Sequence, residues 1–355
     1  MSERLRGQFM ALGLAAVALH AAAQPPRPEA ELGRVQVQGE SAALREKKTL
    51  AQLFKAQALF DKFHALAPAA ELKFRVYART QAELAQRLEI GLMTPVGRQP
   101  VVLDGEDRFV IDPAWRLLPE STELRSRLAD GRVTWRPDIR TPGVPDGERR
   151  LGDLRLQCRV GFDSGVARGL KGLAWLLSFA IDECEDPEWS PSNFADRPVF
   201  AVTLVHGERW LVLSAGLLHG LRDGGGQDYD WGYSLRERMF RVPLGNASWP
   251  DDTRVLIEGM DDPPAATEPG LKELGDAWVQ AALALAPGLA VDEVLGRVGK
   301  ADDDTRFESG RRLLRHLHEL ALPAGPQRLE LVSLFGADGR LLKSTLRRLG
   351  RDQRY

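Results

Sequence analysis

The chain has 355 residues, 43% of them apolar and 28% charged, with a formal net charge of −2. That length supports two or three domains with sizeable cores, and the near-neutral balance excludes the basic excess expected of a non-specific nucleic-acid binder. Two cysteines are too few for a disulfide scaffold, while Gly 34 and Pro 22 favour many turns.

Residues 1–23 read as a cleavable secretory signal. Arg4 and Arg6 give a positive start, and the apolar run from Phe9 to Leu19 is too short to span a bilayer. Ala21-Ala22-Ala23 then offers a small-residue cleavage site before Gln24. The bland alternative is a buried N-terminal helix. No later stretch reaches eighteen apolar residues, since the run from Leu170 to Ile181 stops at Asp182-Glu183, so no transmembrane segment is expected in the mature chain. Its charge would be about −3, and no cysteine near the cleavage site could carry a lipid. With 39 arginines against nine lysines, the composition of a GC-rich bacterial coding sequence, these features predict a periplasmic location.

Residues 24–67 combine a proline-rich start (Pro25, Pro26, Pro28) with a helix predicted over 41–67. There Leu53, Ala56, Phe60, Phe63 and Ala67 recur at three- and four-residue steps, and Pro68 stops the run. From Leu72 the period becomes two, with Leu72, Phe74, Val76 and Ala78 on one face. Further strands are predicted at 86–93, 99–104, 107–112, 131–136 and 153–162. Asp-Gly pairs at 104–105, 130–131, 146–147, 223–224 and 338–339 suit tight turns. Residues 68–163 therefore read as a β-rich domain.

Residues 164–262 read as a second β-rich domain. Its clearest element is a hairpin of 198–205 and 209–213 about His206-Gly207-Glu208, with strands to follow at 236–244 and 253–259. The acid- and proline-rich Asp261–Pro269 opens a linker, and 263–286 is linker plus a helix over 270–286. Residues 287–355 form a small module with a second helix at 290–296 and strands at 311–320, 327–335 and 340–347. The expected class is α+β, predominantly β: antiparallel β-sandwich-like units followed by a small helix-helix-three-strand α/β module.

An exported chain makes its two cysteines interpretable. Leu154, Leu156, Cys158, Val160 and Phe162 alternate, which predicts a strand with the thiol on its buried face, and Cys184 follows the apolar run 173–181. A Cys158–Cys184 disulfide closing this loop would contribute about 3.5 kcal/mol in the chain-entropy model. Two free buried thiols are the alternative.

The tail carries a family resemblance. Val291 and Leu295-Gly296, in a helix ending Val-x-x-x-Leu-Gly, are followed by strands closing on Phe335, Asp338-Gly339 and Leu341. Over about 60 residues this resembles the outer-membrane lipoprotein A (small protein A) family, which includes the smallest lipoprotein of the β-barrel assembly machine. The resemblance implies an envelope-assembly role. Gly299 stands where that family usually has proline, and the family's lipidated cysteine is absent, so anchoring in its manner is not implied. On the residues alone, Val291, Val294 and Leu295 would pack a helix on a sheet, Gly296 would end the helix, and Asp338-Gly339 would turn a hairpin.

Candidate chemistry is sparse. His316 and His318 would share one strand face, but no third ligand stands near them and zinc wants three or four. His318-Glu319 fails as a zinc-protease motif because Leu322 occupies the second histidine position. Ser164 and Ser214 lack a nucleophile-elbow context, and Gly224-Gly225-Gly226 lacks the Lys-Ser/Thr of a phosphate loop. Asp251-Asp252 and Asp302-Asp303-Asp304 read as solvated loops, and Trp135-Arg136-Pro137-Asp138 as a strand end with a rigid turn. The segment Asp228, Tyr229, Asp230, Trp231 and Tyr233 alternates acids with aromatic rings, as carbohydrate or calcium sites do, although calcium needs more oxygen ligands than it supplies. A strand edge with buried rings and solvated acids is the alternative.

No catalytic residue, metal site or cofactor is expected, and nucleic acid is not an expected partner. The leading expectation is a non-enzymatic periplasmic protein-binding or envelope-assembly accessory whose partner is an envelope protein, met through exposed strand edges. The alternative is a secreted carbohydrate-binding module or hydrolase using residues 227–233.

Overall fold

A computed structural model describes residues 47–128, 132–167, 182, 184–186, 190–220, 235–264, 268–323 and 325–350. The expected signal at 1–23, the Asp130-Gly131 and Asp223-Gly224 turns and the whole of 227–233 lie outside these described residues. Within them strand outweighs helix, 36% to 23%, and the expected α+β, predominantly β class holds.

In chain order the strands are β1 Lys47–Thr49, β2 Glu71–Ala78, β3 Ile90–Thr94, β4 Gly97–Pro100, β5 Arg108–Phe109, β6 Glu123–Ser126, β7 Val133–Arg140, β8 Glu148–Arg150 and β9 Asn193–Phe194. They continue with β10 Val199–His206, β11 Arg209–Val212, β12 Met239–Phe240, β13 Arg254–Gly259, β14 Asp303–Arg306, β15 Arg312–Leu322, β16 Gly325–Phe335 and β17 Leu341–Arg348. The helices are α1 Leu50–Phe63, α2 Gln81–Leu84, α3 Leu151–Ser164, α4 Ala277–Leu283 and α5 Val291–Val298. Antiparallel pairing gives the sheets β1-β6-β3-β4, β5-β2-β7, β11-β10-β13-β8 and β14-β15-β16-β17, with β9 and β12 as a separate pair.

Thr49 starts α1 with a capping box. Its hydroxyl accepts from Gln52 N and its own N–H donates to Gln52 Oε1 at 3.0 Å. Leu50, Leu53, Ala56 and Phe60 then bury one stripe against Phe74 and Val76 of β2, Ile90 and Leu92 of β3, and Trp135 of β7, forming the first core. The expected helix over 41–67 thus begins only at Leu50, because Lys47–Thr49 pairs with β6.

Strand β7 is an edge strand, and side chains satisfy its outer backbone. Arg79 Nε donates to Val133 O at 3.0 Å, Lys48 Nζ to Trp135 O, and Arg149 Nη2 to Ile139 O at 2.7 Å; Ile139 N donates to Gln157 Oε1 at 3.2 Å. Pro137, which has no N–H to leave unpaired, falls in the same outward phase. The edge is thereby closed to a further strand. Trp135–Asp138 is accordingly mid-strand and buried apart from the half-buried Arg136, which corrects the expected strand end.

The expected strand at 153–162 is the helix α3. Residues two apart on a helix are turned by about 200°, so alternating apolar side chains land on opposite faces. Leu151, Leu154 and Cys158 enter the second core with Val202, Leu204 and Val255, whereas Leu156 and Val160 enter the first core. A helix buried on both sides therefore carries the period of a strand. Gly152 is required where α3 meets the chain, since a Cβ there would stand 2.1 Å from Leu66 O. Cys158 and Cys184 form the expected disulfide, with Cα atoms 5.8 Å apart and a sequence separation of 26.

The C-terminal sheet is covered on both faces. One face packs Leu314, Leu329, Leu331 and Phe335 against Val279 of α4 and Val294 and Val298 of α5. Val291 and Leu295 also pack on this core, but α5 continues through Gly296 and ends at Gly299, whose φ of 88° suits only glycine. The other face sets Leu313, Val332 and Leu334 against Phe200 of β10 and Ala215. A fully buried carboxylate, Glu330, lies on that face. It accepts from Arg315 Nε at 2.6 Å, Arg347 Nε at 2.7 Å, Ser214 Oγ at 2.9 Å and Ala215 N. Burial alone would raise its pKa, but the Arg347 and Arg315 charges hold it below the usual carboxylate value.

Two outcomes follow for stability. Replacing both Cys158 and Cys184 by alanine should lower the unfolding free energy by about 3.5 kcal/mol, read by denaturant titration of oxidised and variant chains. Glu330→Gln strands two buried guanidiniums and should cost about 3–5 kcal/mol, whereas replacing Glu330, Arg315 and Arg347 together by Met or Leu should recover most of that loss.

Candidate functional site

Asp228, Tyr229, Asp230, Trp231 and Tyr233 all lie outside the described residues. The other candidates are accounted for by structural contacts. His316 Nε2 lies 3.2 Å from Gly299 O, while His318 stacks on Trp278 with ring centroids 4.4 Å apart and stands 3.2 Å from Asp276 Oδ1. Among the described residues no three His, Cys, Asp or Glu side chains form a metal-holding group. Asp302 accepts from Leu317 N, Asp303 from Arg315, and Asp304 takes both Nε and Nη2 of Arg312 at 2.8 and 2.7 Å. Asp251 accepts from Arg155. Of the expected solvated acids, Asp251, Asp303 and Asp304 are thus ion-pair acceptors, and Asp302 holds a backbone N–H. Ser164 donates to Val160 O, and Ser214 to the Glu330 carboxylate, which Arg315 and Arg347 already hold, so neither hydroxyl is paired with a histidine.

His219 gave no sequence signal, being a lone histidine. It is fully buried with φ 61°, its Nε2 lies 2.8 Å from Val199 O, and its Nδ1 has no partner. A neutral ring that donates through Nε2 fits this arrangement, and burial lowers its pKa to about 4.

A dense charged arrangement surrounds Asp196, just after β9. Arg140 clamps its carboxylate through Nη1 at 3.0 Å and Nη2 at 2.8 Å, Arg75 bonds the same group, and Arg238 Nη1 donates to Asp196 O at 3.0 Å. Burial opposes ionisation of Asp196, but Arg140 and Arg75 outweigh it and hold the pKa well below the carboxylate range. Arg140 Nε also reaches both oxygens of buried Asp138, at 2.9 and 3.0 Å. At this hub a small notch opens, lined by Arg140, Arg149 and Arg197, by the acids Asp196 and Glu148, and by Phe194 and Ile257. Its arginines come from two distant stretches of chain, 140–149 and 197, and no local motif could have assembled them.

Exposed apolar side chains concentrate elsewhere. Val96 is 89% exposed, Val102 87% and Leu117 89%, with Met93 and Val110 also exposed, all within residues 93–117. Met93, Val96 and Val102 adjoin in sequence β4, an edge strand whose four residues are all exposed. Val101 N donates to Ile90 O, so the alternation of antiparallel bonds turns Arg98 and Pro100 outward. Pro100 offers no N–H there, and the short strand is a poor template for a further strand.

The buried imidazole has a pH consequence with a definite sign. Between about pH 4 and 6.5 the unfolded chain binds a proton at His219 that the folded chain does not. Its contribution is therefore complete above about pH 6.5 and falls as pH drops toward 4, by about 3 kcal/mol in all. His219→Asn, which tolerates the left-handed backbone, should flatten that part of the stability–pH curve measured by urea unfolding.

Compared with known proteins, the chain matches no family model, no curated protein and no solved structure.

Proposed function

We propose that this chain is a non-enzymatic envelope protein that binds another protein, exported to the periplasm behind the 1–23 signal. The observation that carries this reading is the run of exposed large apolar side chains within residues 93–117, Met93, Val96, Val102, Val110 and Leu117, since exposed apolar surface that is contiguous marks an interaction site. The partner is met by side-chain docking around the β3–β4 hairpin, where Pro100 blunts β4 against an added strand.

One further feature supports an exported chain: the Cys158–Cys184 disulfide suits an oxidising compartment. Among the described residues no helix is long and apolar enough to cross a membrane. The likeness of 287–355 to the outer-membrane lipoprotein A family supports an assembly role. The helices α4 and α5 on one face of β14–β17, with the Gly336–Gly339 turn between β16 and β17, agree with it.

The test is in-cell crosslinking of the full chain followed by mass spectrometry, alongside a variant carrying Val96→Glu, Val102→Glu and Leu117→Glu. Recovery of an envelope protein, reduced about tenfold in the variant with unchanged thermal unfolding, is the expected result. Recovery of β-barrel assembly components would favour the family reading. Equal recovery from both chains, or no stable partner, would overturn the proposed surface.

A further inference from the structure

We propose that the arginine-lined notch beside Asp196 is a binding site for a single carboxylate group. The space it encloses is about 20 Å³, on a scale where one water needs about 10–15 Å³. It admits one small anionic group, while the remainder of any larger ligand stays outside.

The charges around it are unequal. Arg140, Arg149 and Arg197 line it and Arg75 and Arg238 bond Asp196 from outside it, against the acids Asp138, Asp196 and Asp262. Glu148, on the notch wall, is already held by Arg254 through two bonds of 2.7 Å. Asp153, the other acid acting on Arg149, accepts from Thr141 N and Thr141 Oγ1.

Arg149 is the group left incomplete. It is 5% exposed, its Nη2 serves the neutral oxygens of Ile139 and Gln157, and the Asp138 carboxylate stands 3.7 Å from its Nη1. Its Nε is buried with no acceptor. A buried guanidinium bonded mainly to neutral oxygens is costly, and an anion in contact offsets that cost through charge-assisted hydrogen bonds.

Arg197 is placed to complete such a site from the solvent side. Its side chain is 46% exposed and pairs with Asp262. It rests on two glycines: a Cβ at Gly147 would stand 3.1 Å from Arg197 Nη2, and one at Gly259 3.0 Å from Arg197 Cζ. The bare backbone lets the guanidinium lie close against the notch. Phe194 and Ile257 supply apolar wall, which strengthens a charge pair formed there.

This inference does not depend on the apolar surface at 93–117, and its test is separate. Sodium acetate is titrated into the full, oxidised chain at constant ionic strength balanced with chloride, while ¹⁵N-arginine Nε–H resonances are followed. The expected result is a saturable shift of a buried arginine Nε–H, with the affinity weakened about tenfold in Arg197→Gln, as loss of one charge-assisted bond implies. Arg197 is exposed enough for that variant to fold. A shift linear in acetate, an identical titration in the variant, or an equal response to chloride would overturn the proposal. Two further arms separate the sources of the carboxylate. Tighter binding of a short peptide acid than of acetate, lost on amidating its C-terminus, would identify a polypeptide terminus. Equal affinities would identify a free small acid.

Discussion

Helix α3 is the constraint on which the arrangement of the first two β units depends. Its side chains at 151, 154 and 158 enter one core and those at 156 and 160 enter the other, so neither core is complete without it. The close approach at Gly152 secures its first turn and the bridge from Cys158 to Cys184 its middle. Burial on two sides leaves little of the helix for solvent, and its polar residues are correspondingly tied down. Asp153 takes the backbone and hydroxyl of Thr141, Gln157 serves β7, and Arg155 reaches Leu244 O and Asn246 O.

The same economy governs the buried charges. Each satisfies backbone or carboxylate groups that would otherwise be stranded between layers. Lys48, Arg79 and Arg149 close the edge of β7. Glu330 gathers Arg315 and Arg347 where the C-terminal sheet meets Ser214 and Ala215. Lys343 performs a similar task at the same junction, donating to Glu258, to Gly259 O and to Asp262 O at 2.8–3.0 Å. Such clusters add specificity more than net stability, because desolvation consumes much of their Coulomb attraction. Here they set the register of one layer on the next. The tail module is therefore packed on both faces, and a partner would meet its edges, its loops or its helices rather than either face of its sheet.

Much of the strand content was legible because a half-buried strand writes its burial into every second residue. Glu71–Ala78, the hairpin of β10 and β11, β13 and the long strands of the tail all stand close to where their patterns put them. The weak points share a cause. The alternation at 153–162 belongs to a helix because period two also divides a helix into opposite faces, and a single sequence does not say whether both faces will be covered. Residues 236–244 yield only Met239–Phe240 as strand, because Arg236–Arg238 folds into a 3-10 turn before it and Pro243 has no N–H to extend a ladder after it. The candidate site was less legible still. Arg75, Arg140, Arg149, Asp196 and Arg197 are ordinary surface-type residues in sequence and acquire meaning only where β2, β7, β8 and the segment after β9 converge.

By itself, the sequence determined the quantities carried locally: the predominance of strands, the tight turns at Asp146-Gly147 and Asp338-Gly339, whose glycines have φ of 77° and 73°, and the thiol pair within reach of a bridge. Periodicity, positive-φ tolerance and loop length are properties of neighbouring residues, so they can be read from neighbours. Only the tertiary structure decided that α3 is a shared helix, that the tail sheet is covered twice, and that guanidiniums from remote strands meet around Asp196. Those outcomes depend on which surfaces exclude water from one another, and that is a property of the assembled layers rather than of any segment within them.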